Sequence, residues 1–262
     1  MWTYQHQHFL VRQLPVLNDN YIYIIQDRHS PVVCVVDPAL ASPVIEVCAQ
    51  LNIKPTHILN THHHWDHTDG NKELVQTYQS KVVANLADAS RIPHISQAIA
   101  ADSQFQIGSL NIRSMDVPGH TLGHIAFVID DALFCGDTLF GGGCGRLFEG
   151  SFAQMWQSLQ KLALLDDNTK VYCAHEYTLP NLRFARDVDA GNKKLKQRIK
   201  DDTQTRMKQQ PTIPSSIGLE KATNPFLRPL NAAFIQAYNL ENKINLNAPE
   251  VFTHLRERKN TW

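Results

Sequence analysis

The ten residues from 61 to 70, THHHWDHTDG, hold four histidines and two aspartates. Imidazole and carboxylate groups are the side chains that bind zinc and similar divalent metals. A loop with the pattern HxHxDH places alternate side chains on one side, which suits a metal cage built in little space. The pattern therefore favours a metal site over a chance cluster of surface histidines, and its candidate ligands are His62, His64, Asp66 and His67.

Three more ligand-type residues stand where apolar segments end. His120 follows a Pro-Gly turn in DVPGHTLGH, Asp137 ends the apolar part of LFCGDTLF, and His175 stands in VYCAHEYT. A single His or Asp after a strand is more often a capping or core residue. The repetition at the same end of four candidate strands instead predicts that these residues share one site.

The combined set contains five imidazoles and two carboxylates, whereas a tetrahedral site takes four ligands. The number therefore predicts two metals that share a ligand, and Asp137 is the natural bridge because a carboxylate has two oxygens. Two metals roughly 3.5 to 4 Å apart can lower the pKa of a water between them toward ~7, which yields a nucleophile at neutral pH. Nothing in the spacing requires His63, Trp65 or His124 to bind metal, and His124 is expected to support a ligand.

The elements that must position these residues are strands interleaved with helices. Residues 151–165 repeat apolar side chains with a period near 3.6, which predicts a helix, and 42–51 are also expected to be helical. The β-branched and aromatic runs that predict strands are 20–27, 31–38, 56–60, 81–85, 110–117, 124–130, 132–137 and 170–175. Strands and helices mixed in this way indicate a layered α/β architecture.

Charge divides the chain in two. Residues 1–176 hold ten Lys or Arg against 17 Asp or Glu, whereas residues 177–262 hold 15 against eight. The second part also reads as helices rich in Lys, Arg and Gln, with candidates at 181–188, 192–210 and 231–238. These changes predict a domain boundary near residue 176.

The composition excludes several classes of protein. Lys plus Arg and Asp plus Glu both total 25, which argues against binding to nucleic acid or to an anionic membrane. No apolar run approaches the roughly 20 residues of a membrane span, and the first ten residues lack a secretory signal pattern. Five cysteines without a CxxC pair are expected to be buried thiols. A cytoplasmic location is predicted.

Five segments, THHHWDH, PGHTLGH, GDTLF, CGRLFEG and AHEYT, resemble in this order the metallo-β-lactamase superfamily. Four segments narrow the resemblance to the hydroxyacylglutathione hydrolase (glyoxalase II) family: CGRLFEG, AHEYT, NPFLR (224–228) and LRERKN (255–260). This resemblance covers nearly the whole chain. The resemblance implies a four-layer αβ/βα sandwich. Residues 1–176 would form the catalytic domain, and residues 177–262 a helical domain that binds glutathione.

The family's activity and site follow from the same resemblance. Its members hydrolyse the thioester S-lactoylglutathione to glutathione and D-lactate, the second step of methylglyoxal detoxification, with two divalent metals and a bound hydroxide. Zinc is expected, with iron or manganese as alternatives. By motif position one metal would be held by His62, His64 and His120 and the other by Asp66, His67 and His175, with Asp137 shared. Asp66 and Asp137 would be the catalytic carboxylates.

Substrate contacts are implied by position as well. Arg146, Arg256 and Lys259 match family positions that grip the glycine carboxylate of glutathione, and Tyr177 matches another contact. Arginine suits a planar, bidentate grip on a carboxylate, and the basic second part of the chain agrees with a substrate that carries two carboxylates. The simpler alternatives are a solvated basic tail for RERK and a packing role for Tyr177.

The chain departs from the family pattern at two positions. Asp69 precedes Gly70 where the family often has Gly-Gly, and we expect Asp69 to complement a helix dipole. Phe148 stands where many members have tyrosine, so one hydroxyl contact to glutathione is lost.

Rival functions predict different properties. A glutathione persulfide dioxygenase on the same scaffold would hold one iron and consume oxygen, and it needs fewer than seven ligands. A nuclease would carry a basic insertion, which is not found. A complete ligand set argues against a binding protein without activity, and a helical domain over the site argues against β-lactam hydrolysis. The expected partner is a small-molecule thioester, without nucleic acid or membrane, and the chain is expected to be a monomer.

Overall fold

The computed structural model describes all 262 residues, and its first sheet has seven strands in chain order. They are β1 (Trp2–Gln5), β2 (Phe9–Val16), β3 (Asn20–Asp27), β4 (Val33–Val36), β5 (His57–Leu59), β6 (Lys81–Asn85) and β7 (Ile95–Ile99). The strands from β1 to β4 pair antiparallel, and those from β4 to β7 pair parallel. Because parallel strands end at the same edge, the segments after β4 and β5 emerge side by side.

Three helices connect the parallel strands: α1 (Ser42–Leu51), α2 (Trp65–Thr68) and α3 (Asn71–Tyr78). A proline in the first turn begins α1, and Asn52 ends it in the left-handed conformation. Gly70 precedes α3, and a Cβ there would lie 2.6 Å from the carbonyl oxygen of Pro38. Only glycine fits this close approach, so the loop of residues 61–70 is fixed at its end against the segment after β4.

Four antiparallel strands follow in the same compact unit, which comprises Met1–Asp116 and Gly123–Gly136. They are β8 (Gln104–Ile107), β9 (Leu110–Asp116), β10 (Ile125–Ile129) and β11 (Ala132–Gly136), paired in chain order. A buried apolar cluster underlies the first sheet and includes Ile22, Val35, Ile58 and Val82. Their burial supplies the main favourable free energy of this unit.

Asp27 joins the end of β3 to the turn between β8 and β9. Its carboxylate accepts hydrogen bonds from the Ser109 amide at 2.8 Å and the Ser109 hydroxyl at 2.6 Å, and also from Ser30 and the His29 amide. Burial opposes ionisation, but the hydrogen bonds outweigh it and lower the pKa of Asp27 to about 2.

This arrangement makes the free energy of unfolding depend on pH in the acidic range. Because the pKa of Asp27 is lowered in the folded state, its contribution is present above about pH 4 and is lost as the pH falls through 2. We expect Asp27→Asn to lower the free energy of unfolding by about 2 kcal/mol at pH 7. Denaturant titrations of both proteins should show this difference shrinking towards pH 2, and a difference independent of pH would contradict the assignment.

The second compact unit comprises Val117–Leu122 and Asp137–Trp262. Its strands are β12 (Leu139–Phe140), β13 (Gly143–Cys144), β14 (Lys170–Cys173) and β15 (Ser215–Ser216), which form the antiparallel pairs β12–β13 and β14–β15. Its helices are α4 (Phe152–Ala163), α5 (Thr178–Val188), α6 (Lys193–Met207), α7 (Ile217–Thr223), α8 (Ala232–Asn242) and α9 (Ala248–Thr261). Short 3-10 turns lie at Leu86–Asp88 in the first unit and at Arg228–Leu230 here.

Most predicted elements are confirmed, with boundaries shifted by a few residues. The strands over 20–27 and 81–85 and the helix over 42–51 match fully, whereas β4 is shorter than the predicted 31–38. It ends at Val36 because Asp37 has a positive φ of 50°, which breaks the extended chain. Helix α9 was not predicted, although its capping box joins Asn247 to Glu250.

All five cysteines are free thiols and are buried. Burial raises the pKa of Cys34 and of Cys173 to about 12. None of the helices combines the length and the apolar character that crossing a membrane would require.

Candidate metal centre and adjoining pocket

The HxHxDH segment gathers four ligand-type side chains in the first unit. His62 and His64 lie in the segment between β5 and α2, and Asp66 and His67 lie in α2. The Nε2 atom of His62 is 3.0 Å from Nδ1 of His64, and Nε2 of His67 is 3.6 Å from an oxygen of Asp66. The rings of His62 and His67 are 4.1 Å apart at their centroids, so all four residues face one small volume.

Asp37 holds the HxHxDH segment in place through Thr61 and His67, and it was not predicted from the sequence. Its carboxylate accepts hydrogen bonds from the Thr61 amide at 2.8 Å, the Thr61 hydroxyl at 2.7 Å and Nδ1 of His67 at 2.9 Å. A carboxylate only accepts, so Nδ1 carries the proton and Nε2 of His67 keeps the lone pair that a metal needs. The available signal was an aspartate at the end of the apolar run VVCVVDP.

We expect Asp37→Asn to weaken metal binding by at least about tenfold. The asparagine would set an NH2 group against one of the donors that Asp37 now satisfies, so His67 would lose its fixed orientation. Chelator competition measures the change. Asp27→Asn is the matched control because it also neutralises a buried carboxylate in this unit, without a contact to the loop. Equal metal affinities for both variants would contradict the role of Asp37.

Neighbouring side chains support the ligands. The amide of Asn20 donates to Asp66 at 3.0 Å, and that of Asn60 donates to the carbonyl of His67 at 2.8 Å. His124 is fully buried and stacks on His62 with ring centroids 4.6 Å apart. Nδ1 of His63 lies 3.4 Å from a carboxylate oxygen of Asp88. This nitrogen therefore does not point at the other histidines of the loop.

The second unit brings His120, Asp137 and His175 together. Nε2 of His120 lies 3.4 Å from one oxygen of Asp137, and Nε2 of His175 lies 3.3 Å from the other. All three side chains are buried. Nδ1 of His120 donates to the carbonyl of Arg146 at 2.7 Å, so Nε2 carries the lone pair that a metal would need.

These donors fit a divalent cation. Within each unit they are imidazole nitrogens and carboxylate oxygens, the set that zinc, iron and manganese accept. Their atoms face one another at 3.0 to 3.6 Å, close enough for one ion to contact several of them. The arrangement therefore supports divalent metal binding.

A cavity of about 490 Å³ adjoins the candidate ligands of the second unit. It brings the four predicted substrate contacts beside two of the predicted metal ligands. Its lining contains His120, Asp137, Arg146, Tyr177, Arg256 and Lys259, together with Phe140, Cys144, Phe148, Pro180 and Asn181. The basic residues near the end of the chain thus line a concave site and are not a solvated tail.

Positive charge is concentrated in this cavity. Burial lowers the pKa of Lys259 to about 8, with further lowering from Arg256, Arg183 and Arg146. Arg256 is buried; Nη1 donates to the carbonyl of Cys144 at 3.1 Å, and Nε has no hydrogen-bond partner. Such crowding of cations is costly without an anion, so the cavity favours a carboxylate-bearing ligand.

Two aromatic residues shape the cavity beside the ligands. Tyr177 stacks flat on His175 with ring centroids 4.8 Å apart. Phe148 meets the ring of His120 edge-on at 5.1 Å, and 65% of its surface is exposed. Asp69 is exposed; it is the C-cap of α2 and immediately precedes Gly70, the N-cap of α3, so its expected role at a helix start stays a prediction.

Comparisons with known proteins agree with this description. The family model "Metallo-beta-lactamase superfamily" matches residues 18–105 and 103–175, and "Hydroxyacylglutathione hydrolase C-terminus" matches residues 176–262. Hydroxyacylglutathione hydrolase from Methylococcus capsulatus is 45% identical over 96% of this chain and 98% of its own. The enzyme of that name from Rhodospirillum rubrum is 44% identical over 95% and 97%.

Solved structures with this fold include more distant proteins. ETHE1 from Myxococcus xanthus has a TM-score of 0.65 at 26% identity and covers 95% of this chain and 97% of its own. A metallo-β-lactamase from Staphylococcus aureus has a TM-score of 0.66 at 19% identity, over 97% and 72%. The predicted fold class is confirmed: an α/β metallo-β-lactamase sandwich with a helical C-terminal part.

Proposed function

Since the chain belongs to the hydroxyacylglutathione hydrolase family of the metallo-β-lactamase superfamily, we propose that it hydrolyses S-lactoylglutathione to glutathione and D-lactate. The observation that carries this proposal is the cationic cavity beside His120 and Asp137. A carboxylate-bearing substrate held there would present its thioester to the metal ligands. The chain is accordingly a metal-dependent thioester hydrolase.

We propose that two divalent cations, zinc or alternatively iron or manganese, occupy the site. His62, His64 and His120 would hold one, Asp66, His67 and His175 the other, and Asp137 would bridge them. The clustering of these residues within each unit supports this assignment. When bound, such a pair supplies a nucleophile from water at neutral pH and polarises a carbonyl oxygen.

The protein's own side chains then orient the reaction. Asp66, held by the amide of Asn20, would accept a hydrogen bond from the attacking water and direct it at the thioester carbon. Asp137 would keep His120 and His175 at a fixed separation through its two oxygens. The leaving thiol has a pKa of ~8.5, so it departs as a thiolate without a strong general acid.

Glutathione recognition would rest on Arg146, Arg256, Lys259 and Tyr177. We propose that the three cations bind the glycine carboxylate, and that the Nε hydrogen of Arg256 is one donor. Tyr177 would contact the tripeptide from its stacked position on His175. Phe148 offers an apolar edge in place of a hydroxyl, so it would contribute packing only.

We propose a functional division near residue 176, with residues 1–176 catalytic and residues 177–262 binding glutathione. The two family models meet between 175 and 176, and the net charge changes sign at the same place. We also propose that the protein acts as a cytoplasmic monomer without a nucleic-acid or membrane partner. The equal numbers of acidic and basic residues argue against a nucleic-acid or anionic-membrane partner, and size-exclusion chromatography with light scattering tests the monomer.

The pKa of Lys259 predicts how substrate affinity depends on pH. A substrate carboxylate favours the charged lysine, so binding is strongest below pH 8 and weakens as the pH rises through 8. We expect KM to rise by up to about tenfold per pH unit above 8 until the pKa of the complex is reached. Initial rates corrected for spontaneous thioester hydrolysis measure this effect.

Two variants test the assignment to Lys259. Lys259→Gln should have a raised KM that no longer depends on pH in this range. Lys221→Gln, which alters an exposed lysine paired with Asp167, should retain the wild-type profile. A wild-type KM that stays constant from pH 7 to 9 would contradict the role of Lys259.

The function itself is tested with purified protein and S-lactoylglutathione, by following loss of the thioester and appearance of a free thiol and D-lactate. The alternative is a glutathione persulfide dioxygenase with a single iron on the same scaffold. Oxygen uptake with glutathione persulfide and one iron per chain would favour that alternative. Thioester hydrolysis with two metals per chain supports the proposed function.

A further inference from the structure

The segment from Asp137 to Arg146, called here the 137–146 loop, carries several functional groups at once. It begins with Asp137, and the carbonyl of Arg146 at its end accepts the hydrogen bond from Nδ1 of His120 at 2.7 Å. Its fold is tight, because a Cβ on Gly145 would lie 2.0 Å from the carbonyl oxygen of Asp137. The position of this loop therefore affects two metal ligands and one substrate contact together.

Buried polar side chains from the helical region hold the middle of the loop. The amide of Asn224 donates to the carbonyls of Phe140 at 3.2 Å and Gly143 at 2.8 Å. An oxygen of Glu220 accepts from the amide of Gly142 at 2.9 Å. Asn181 donates in addition to the carbonyl of Gly141 at 3.1 Å. Each residue from 140 to 143 thus has a backbone hydrogen bond to a side chain at least 40 positions away in sequence.

Glu220 is fully buried, and Arg198 neutralises it. Nη2 of Arg198 donates to Oε1 of Glu220 at 2.7 Å, and Nη1 donates to the Thr223 hydroxyl at 2.7 Å. A buried ion pair contributes little net stability, because the cost of removing two charges from water offsets their attraction. A buried ion pair is better attested as a device that specifies one arrangement of the side chains around it. Here Oε2 of Glu220 accepts hydrogen bonds from the amide of Gly142 and from the side-chain amide of Asn224.

The sequence of the loop makes this network possible. Gly142 has a φ of 63°, and a Cβ on Gly143 would lie 2.3 Å from the amide nitrogen of Asn181. Side chains at these positions would exclude the buried groups from the backbone. The run GGG at 141–143 therefore allows the close contact with Asn224, the first residue of the motif NPFLR.

We propose that Asn224 and Glu220, with Arg198 behind Glu220, are positioning residues for the metal centre. They fix the 137–146 loop, and through it the orientation of Asp137 and His120 and the place of Arg146. The part concerning Arg146 rests on the proposed function, because it concerns substrate binding. The parts concerning the loop and the metal ligands can be measured without any substrate.

Asn224→Asp is the sharpest test. The new carboxylate still accepts from the Phe226 amide, as Oδ1 of Asn224 does at 3.0 Å, so the local turn is retained. It cannot donate, however, and it would place an oxygen against two carbonyls and Glu220. We expect faster deuterium uptake in a peptide covering 139–146 and metal affinity lower by about tenfold or more. We also expect a lower kcat, from displacement of Asp137, together with a higher KM, from displacement of Arg146.

Asn192→Asp is the matched control. Asn192 also accepts from a backbone amide, that of Leu195 at 3.1 Å, and donates to a carbonyl, that of Ala222 at 2.8 Å. It has no hydrogen bond to the 137–146 loop. This variant should lose stability while its deuterium uptake at 139–146, metal affinity and kinetic constants stay at wild-type values.

Glu220→Gln gives the same readouts if Asn224→Asp does not fold, because it keeps the shape and one acceptor oxygen of Glu220. The inference is overturned if the folded variant of Asn224 or Glu220 loses only stability, as Asn192→Asp should. An inactive wild type would refute the proposed function instead. Deuterium uptake and metal affinity would still decide whether the network positions the loop.

Discussion

Asp137→Ala should lower kcat/KM for S-lactoylglutathione by roughly a thousandfold or more. The two oxygens of Asp137 face Nε2 of His120 and Nε2 of His175, at 3.4 and 3.3 Å. Alanine removes the carboxylate that the two metals would share and leaves two imidazoles without their common anionic neighbour. The metal content per chain should fall along with the activity, and both are measured on the same purified sample.

Asp167→Ala serves as the control for the loss of an aspartate in the same unit. Asp167 is exposed and pairs with Lys221 at 2.8 Å, so this variant should retain both metal and activity. If Asp137→Ala kept its full activity, the two-metal assignment would be wrong. If it kept both metals and lost only activity, Asp137 would act in the reaction without holding the ions.

Arg256→Met should raise KM by roughly a hundredfold with a much smaller change in kcat, because loss of a buried charged partner costs about 2 to 5 kcal/mol. Methionine preserves much of the apolar stem and removes the guanidinium group, whose Cζ lies 5.0 Å from the ring centroid of Phe226. The substrate carboxylate would then face a cavity with one cation fewer. Saturation kinetics with S-lactoylglutathione separate KM from kcat.

Arg228→Met is the matched control for this substitution. Arg228 likewise lies over a phenylalanine ring, that of Phe234 at 5.1 Å, and bonds to Asp189 at 2.9 Å, but it does not line the cavity. Its KM should stay close to the wild-type value. A fall in kcat at constant KM for Arg256→Met would show that Arg256 supports the 137–146 loop through Cys144 more than it binds substrate.

The candidate ligands that the structure brings together could be selected from the sequence because their signals are local. An apolar run that ends in His or Asp is visible in a window of ten residues, and His120, Asp137 and His175 were each found in this way. The side chains that hold these ligands have no such signal. Asp37 contacts His67 across 30 positions, and Asn224 contacts Gly143 across 81, so only the folded chain connects them.

Helix α9 illustrates a different difficulty: its charged residues are visible in the sequence, but their burial is not. Four charged residues in the run RERK suggest a solvated segment, yet Arg256 is buried and Lys259 is half-buried. Their charged groups lie over aromatic rings: Cζ of Arg256 is 5.0 Å from the ring centroid of Phe226, and Nζ of Lys259 is 4.1 Å from that of Trp262. Residue type alone does not reveal such contacts.

An enzyme that releases glutathione works beside a reactive sulfur nucleophile and its oxidised forms. Only a thiolate attacks a disulfide, and the burial that raises the pKa of Cys34 and Cys173 to about 12 keeps both protonated. Burial raises the pKa of Cys144 as well, although this residue lines the cavity where the product thiol would form. The folded protein should therefore resist forming a mixed disulfide with glutathione disulfide, the oxidised form of its product.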